Sequence, residues 1–127
     1  MNNVLIVEDE KFLVRALQDS LSVEGYKVDV AFDGEEAVGK IRSKNPDIIL
    51  LDILMPKKDG FYVLEELKKN PEWKTIPVIV LSNLSGDVEI KKALAMGAVD
   101  YFVKSQHSLE EVIEKIKDHL GGKRGMV

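Results

Sequence analysis

The chain alternates short apolar runs with amphipathic segments along almost all of its length. Three apolar runs, at 4–7, 48–51 and 78–81, contain β-branched residues and no charge, which is typical of strands buried on both faces. Two further strands are predicted at 27–32 and 99–103. The strand at 27–32 alternates polar and apolar residues, and this pattern predicts a position at an edge of the sheet.

An amphipathic segment with apolar residues at helical spacing follows each predicted strand. In the first helix the apolar positions are Phe12, Leu13, Ala16, Leu17 and Leu21. Gly25 and Gly97 stand where helices end, because glycine accepts the left-handed backbone of a helix terminus. The expected N-caps are Asp33 for the second helix, Ser85 or Asp87 for the fourth, and Ser108 for the fifth.

Five strands in strict alternation with five helices predict a parallel α/β sheet covered by helices on both faces. Five such units are too few for a closed eight-stranded barrel, so an open doubly wound sheet is expected. A chain of 127 residues accommodates one domain, which we place at 1–120. The glycine-rich segment 121–127 has no periodicity and is predicted to be a flexible C-terminal tail.

Composition narrows the possible functions. The chain has no cysteine, which excludes disulfides, cysteine nucleophiles and cysteine-based metal sites. Its net charge of −4 argues against direct binding of nucleic acid, which requires a basic face. No apolar run approaches the roughly 20 residues of a membrane span, and no signal peptide is visible at the N-terminus. We therefore expect a cytoplasmic protein that contacts neither nucleic acid nor membrane.

Polar side chains follow four of the five predicted strands. Glu8 and Asp9 follow the first strand, Asp52 the third, Ser82 the fourth and Lys104 the fifth. Because the carboxyl ends of parallel strands meet at one edge of a sheet, these groups are expected to converge there. Each of them has an ordinary alternative as a turn or cap residue, and Asp9 in particular is a possible N-cap of the first helix.

Three carboxylates at one edge repel each other, and one lysine is insufficient to balance them. A hard divalent cation is the natural supplement, and carboxylate and carbonyl oxygens suit Mg²⁺. A carboxylate beside Mg²⁺, with a lysine and a hydroxyl nearby, is equipped for phosphoryl transfer, in which an aspartate can serve as the nucleophile. The chain has no glycine-rich phosphate-binding motif, so the sequence gives no sign of a bound nucleotide.

Four segments share their order and spacing with one known family. They are Val4-Leu5-Ile6-Val7-Glu8-Asp9-Glu10, Asp47-Ile48-Ile49-Leu50-Leu51-Asp52-Ile53-Leu54-Met55-Pro56 with Asp59-Gly60, Val78-Ile79-Val80-Leu81-Ser82, and Gly97-Ala98 with Asp100-Tyr101-Phe102-Val103-Lys104. In these segments the chain resembles the receiver domain of bacterial two-component response regulators, and in particular the chemotaxis-regulator type. The resemblance spans about residues 4–120 and implies a flavodoxin-like sheet of strand order 2-1-3-4-5.

The resemblance also implies a role for each residue of the site. Asp52 matches the aspartate that accepts the phosphoryl group. The implied Mg²⁺ ligands are Asp52 itself, Asp9, the neighbouring acid Glu8 and the backbone carbonyl of Leu54. Three side chains match the groups that respond to phosphorylation, namely the switch hydroxyl of Ser82, the lysine Lys104 and the switch aromatic Tyr101.

The function implied is a phosphorylation-dependent switch, which carries out only its own phosphorylation and dephosphorylation and is not otherwise an enzyme. The implied partners are a sensor histidine kinase or phosphotransfer protein, and a downstream protein bound by the fourth helix, fifth strand and fifth helix. Two alternatives remain open. One is a pseudo-receiver that binds proteins without phosphorylation. The other is a phosphatase with an aspartate nucleophile, although Leu54 occupies the position where that chemistry requires an acid.

Two positions depart from the family pattern. Ser105 follows Lys104 where family members usually have proline, often with a cis bond. A cis bond to a residue other than proline costs about 3 kcal/mol, so a trans bond is expected here. Asn83 follows Ser82 where a small residue is usual. A larger polar side chain beside the switch hydroxyl is expected to alter the lifetime of the phosphoryl group, in a direction that the sequence does not give.

Overall fold

The structure, a computed structural model, describes residues 2–121. One parallel sheet has the strand order β2-β1-β3-β4-β5, and a helix follows every strand. The elements are β1 (Asn3–Val7), α1 (Lys11–Val23), β2 (Lys27–Ala31), α2 (Gly34–Lys44), β3 (Ile48–Leu51), α3 (Gly60–Lys69), β4 (Val78–Ser82), α4 (Asp87–Ala95), β5 (Asp100–Val103) and α5 (Leu109–His119). This architecture confirms the predicted doubly wound sheet and its strand order. Most of the predicted tail, 122–127, lies outside the described residues.

Each face of the sheet contributes to its own apolar core. Leu5 and Ile49 face a core formed with α2, α3 and α4, whereas Val4 and Ile48 face a core formed with α1 and α5. Neighbouring residues of a strand face different cores because successive side chains of a strand point to opposite faces of the sheet. The central strands β1, β3 and β4 are therefore buried on both sides, which explains their uninterrupted apolar sequences.

Two of the three predicted N-caps are confirmed by the structure, and the third is wrong. Asp33 accepts a hydrogen bond from the backbone N–H of Glu36, and Ser108 forms a capping box with Glu111. The expected cap of α4 by Ser85 or Asp87 is wrong, because the N-cap is Gly86 and no side chain caps this helix. Asp87 instead begins the helix, where its charge interacts favourably with the helix dipole.

The apolar pattern of α1 overestimates its buried face. Phe12 is 92% exposed, whereas Val14 and Leu17 are buried. Two residues along a helix correspond to a rotation of about 200°, so Phe12 lies opposite the side on which Val14 enters the core. The predicted second strand is also one residue too long, since it ends at Ala31 and Phe32 is 38% exposed. Within residues 2–121, no helix has the length and apolar character that crossing a membrane requires.

Candidate functional site

The four predicted strand ends meet at one edge of the sheet. Beyond the strands, the backbone N–H of Asp52 donates to the carbonyl of Val7 at 2.9 Å. The N–H of Lys104 donates to the carbonyl of Ser82 at 2.8 Å. These two bonds extend the sheet by one residue in β3 and β5. They therefore fix the backbone from which the side chains of Asp52 and Lys104 project.

Lys104 is the centre of the charged cluster. Its Nζ lies 3.0 Å from an oxygen of Glu8, 2.8 Å from one of Glu10 and 3.1 Å from one of Asp52. The lysine side chain is 13% exposed, and the Glu8 and Asp52 side chains are 3% and 4% exposed. An ammonium carries three N–H donors, so the three carboxylates match its full donor capacity.

Asp52 is a buried carboxylate with both oxygens engaged. Its Oδ1 accepts a hydrogen bond from the backbone N–H of Leu54 at 3.1 Å, and its Oδ2 accepts from Lys104. The start of α3 packs directly against its backbone: a Cβ at Gly60 would lie 2.5 Å from the carbonyl oxygen of Asp52. Glycine is therefore required at this close approach, which holds the loop after β3 in place.

The electrostatics of the site reflect an excess of buried acid. Burial, followed by the negative charge of Asp52, raises the pKa of Glu8 to about 7. Burial alone lowers the pKa of Lys104, but hydrogen bonds to Glu10 and Glu8 and the charge of Asp52 outweigh it, so this pKa lies above its ordinary value. Lys104 is therefore protonated at neutral pH, and its single positive charge faces more than one carboxylate.

The acids Glu8, Asp9 and Asp52 form a group that fits a divalent cation. Each offers a carboxylate oxygen, and these oxygens all lie within 4.8 Å of one another. An all-oxygen set of this kind suits Mg²⁺ or Mn²⁺. The alternative role of Asp9 as the N-cap of α1 is wrong, because Glu10 is the N-cap and no side chain caps α1. The exposed Asp9 carboxylate is thus free of a capping bond.

Ser82 and Tyr101 are linked through the loop after β4. Ser82 is fully buried, and its Oγ accepts a hydrogen bond from the backbone N–H of Leu84 at 3.3 Å. The hydroxyl of the half-buried Tyr101 donates to the carbonyl oxygen of Leu84 at 2.6 Å. One loop residue therefore contacts both side chains, so a movement of the loop changes the surroundings of both.

Glu10 is a site residue that our sequence prediction did not single out. The sequence shows it as the residue after the acidic pair, where it is indistinguishable from an ordinary solvent-exposed acid at a helix start. Only the reach of the Lys104 side chain across the edge reveals the contact.

Asn83 and Ser105 are both exposed, and the bond between Lys104 and Ser105 is trans, as expected.

Comparisons with known proteins agree with this geometry. The chain matches the family described as response regulator receiver domain over residues 4–117. The receiver domain of a signal transduction histidine kinase from Syntrophus aciditrophicus is 34% identical, with a TM-score of 0.86 over 96% of this chain and 92% of that chain. The Mn²⁺-bound form of response regulator Rcp1 is 30% identical, with a TM-score of 0.82 over 92% of each chain.

A third relative carries a modification. The phosphorylated cyanobacterial phytochrome response regulator RcpA is 33% identical, with a TM-score of 0.79 over 92% of this chain and 89% of that chain. The family match spans nearly all of the fold, from β1 into α5. The fold, the acidic group at the sheet edge and the sequence match together show that this chain belongs to the response regulator receiver domain family of signalling switches.

Proposed function

We propose that this chain is a phosphorylation-dependent switch whose phosphoacceptor is Asp52. The observation that carries the proposal is the position of the Asp52 carboxylate, which is buried between two further acids and the ammonium of Lys104. The acids Glu8, Asp9 and Asp52, with the backbone carbonyl of Leu54, would hold Mg²⁺. The bound ion would neutralise negative charge on the transferred phosphoryl group.

The transfer itself is a displacement at phosphorus. An oxygen of the Asp52 carboxylate forms the new O–P bond, and the P–N bond to the imidazole of a phosphohistidine donor breaks. The imidazole leaves with the electron pair of that bond and takes up a proton. Lys104 donates a hydrogen bond to one phosphoryl oxygen, and the hydroxyl of Ser82 donates a hydrogen bond to another. In self-dephosphorylation, water attacks the phosphorus and restores the carboxylate with release of inorganic phosphate.

The proposed partners are those that membership of the receiver family implies. A phosphohistidine donor is supplied by a sensor histidine kinase or a phosphotransfer protein. The output is a downstream protein that binds the surface of α4, β5 and α5. Tyr101 lies on β5 and contacts the loop before α4 through Leu84, which supports a path from the phosphoryl group to this surface. Action in the cytoplasm stays a prediction.

The two alternatives receive no support from the site. Leu54 is 51% exposed and carries no acid at the position where an aspartate phosphatase requires one. The acids that a pseudo-receiver can dispense with are all present in one group. The proposed switch also agrees with the Mn²⁺-bound Rcp1 and the phosphorylated RcpA structures among the relatives.

The direct test is phosphorylation by acetyl phosphate with Mg²⁺, followed by peptide mass spectrometry. We expect one phosphoryl group on Asp52 in the parent and none in Asp52→Asn. Asp59→Asn is a matched control, because Asp59 is a nearby exposed aspartate whose side chain caps α3. A phosphoryl group on another residue, or no modification of the parent, would contradict the proposal.

A further inference from the structure

The ammonium of Lys104 has three carboxylate partners that differ in freedom to move. Glu8 and Asp52 are almost fully buried, whereas the Glu10 side chain is 56% exposed and makes the shortest contact, at 2.8 Å. Glu8 is held further by the backbone N–H of Glu10, which donates to its Oε2 at 3.0 Å. Of the three partners, the Glu10 carboxylate is the one that water can solvate when it leaves the lysine.

A phosphoryl oxygen on Asp52 needs an N–H of Lys104 that is already in use. Lysine has three N–H donors, and oxygens of three carboxylates already lie within hydrogen-bond distance of its nitrogen. A phosphoryl oxygen therefore competes with these carboxylates for the same donors. Asp52 carries the phosphoryl group and Glu8 is buried, so the exposed Glu10 is the partner that leaves the lysine for water.

We propose that Glu10 is a positioning residue that competes with the phosphoryl group for Lys104 and so opposes the phosphorylated state. The inference rests on the proposed function of Asp52. Two effects have the same sign. Glu10 occupies a donor that the phosphoryl oxygen requires, and its negative charge lies near a group that carries up to about two further negative charges.

The side chain of Glu10 can be altered without removing a helix cap. Glu10 is the N-cap residue of α1, but its side chain makes no capping hydrogen bond. Glu10→Gln keeps the shape and removes the charge. Glu10→Asp keeps the charge but shortens the side chain, so that it reaches Lys104 less easily. An aspartate at an N-cap also tends to accept hydrogen bonds from the free backbone N–H groups at the helix start. If the contact with Lys104 matters, both variants weaken the competition.

The test uses beryllofluoride, a non-covalent analogue of the phosphoryl group, with saturating Mg²⁺ and calorimetric titration. Because exposed ion pairs contribute little, we expect each Glu10 variant to bind beryllofluoride about two- to fivefold more tightly than the parent. Glu72→Gln is the control for a change of charge, since Glu72 is an exposed acid in the turn before β4, and its affinity should equal that of the parent.

A second titration with Mg²⁺ alone separates competition from a structural role. A loosened site would bind both Mg²⁺ and beryllofluoride more weakly, whereas competition predicts tighter beryllofluoride binding with no gain in Mg²⁺ affinity. Equal or weaker beryllofluoride binding by Glu10→Gln, with normal binding by the parent, overturns the inference alone. A parent that fails to bind beryllofluoride overturns the proposed function as well. Tighter binding by Glu10→Gln but not by Glu10→Asp assigns the effect to charge and overturns the competition for Lys104.

Discussion

Among the residues that the structure describes, Lys104 and Lys117 each pair with more than one acidic side chain, and their surroundings differ. Lys104 joins Glu8, Glu10 and Asp52 at the functional edge, and its side chain is 13% exposed. Lys117 joins Glu24 and Glu114 between α1 and α5, where the side chains are 31%, 39% and 68% exposed. The same types of ion pair therefore occur in a shielded and in a solvated environment.

This comparison shows how burial changes the contribution of an ion pair to stability. In the solvated cluster, water competes with each contact, and such pairs contribute about 0–1 kcal/mol. In the shielded cluster the buried acids Glu8 and Asp52 cannot exchange lysine for water, so removal of Lys104 or of either buried acid changes the protonation and stability of the others. We therefore expect a new charge to perturb the shielded cluster more than the solvated one, as the proposed switch requires.

The largest difference is expected when each lysine is replaced by methionine. Lys104→Met leaves Glu8 and Asp52 buried without their cation, and we expect a loss of about 2–3 kcal/mol in the free energy of unfolding, partly relieved by protonation of Glu8. Lys117→Met removes only solvated pairs and should cost less than about 1 kcal/mol. Urea unfolding of both variants at neutral pH measures the difference. Equal losses would show that burial does not distinguish the clusters.

Removal of one acid from the shielded cluster should raise the free energy of unfolding, whereas removal of the lysine lowers it. Asp52→Asn removes a negative charge that raises the pKa of Glu8, and we expect the metal-free protein to gain about 1 kcal/mol. Glu114→Gln in the solvated cluster should change stability by less than about 0.5 kcal/mol. Thermal unfolding without metal provides the comparison. A less stable Asp52→Asn would show that the Lys104–Asp52 bond outweighs the repulsion.

A pH series separates the clusters further. The pKa of Glu8 is raised from 4.5 in the unfolded chain to about 7 in the folded protein, so the folded state binds more protons between these values. This contribution to stability is complete below about pH 4.5 and is lost as the pH rises through about 7. Saturating Mg²⁺, which favours the charged carboxylate, should reduce the loss. Denaturant unfolding from pH 5 to 8 measures it.

Glu8→Gln is the control variant for this pH series, because it removes the titrating group. Its metal-free stability should vary less between pH 5 and 8 than that of the parent. A parent whose stability rises steadily across this range would contradict the raised pKa of Glu8. Lys117→Met should keep the pH dependence of the parent, because its acids lie in the solvated cluster.

The smallest expected effect concerns the rim of the shielded cluster. Asn83 is exposed and follows the buried Ser82 in the chain, so we expect it to affect the access of water to a phosphoryl group on Asp52. We expect Asn83→Ala to change the rate of self-dephosphorylation by about twofold or more, equivalent to roughly 0.4 kcal/mol of barrier. Loss of labelled phosphate from purified phosphoprotein measures the rate. Equal rates in the variant and the parent would exclude a role for Asn83.

The sequence was sufficient to predict the architecture because its signals repeat. Uninterrupted apolar strands such as 78–81 and cap residues such as Ser108 point to the same fold, and the structure confirms both. The error at Phe12 arose because a hydrophobic residue near a helix start suits either the core or the surface. Angular position relative to Val14, rather than hydrophobicity, decides between them.

The candidate site could be predicted only as far as the backbone determines it. Strand direction brings Asp52 and Lys104 to one edge, and the structure places their side chains in contact. The involvement of Glu10 depends on the path of a long lysine side chain, and that of Leu84 depends on the shape of a loop. Neither depends on periodicity, so neither could be derived from the order of residues.

The most direct test of the switch is the response of the shielded cluster to beryllofluoride with Mg²⁺. This response is measured as changes in the chemical shifts of backbone amides and lysine side chains in NMR spectra. We expect shifts at Ser82, Leu84, Tyr101 and Lys104 that require both reagents and are absent in Asp52→Asn, with no change at Lys117. Shifts that persist in Asp52→Asn, or a parent spectrum that does not respond, would contradict the proposed switch.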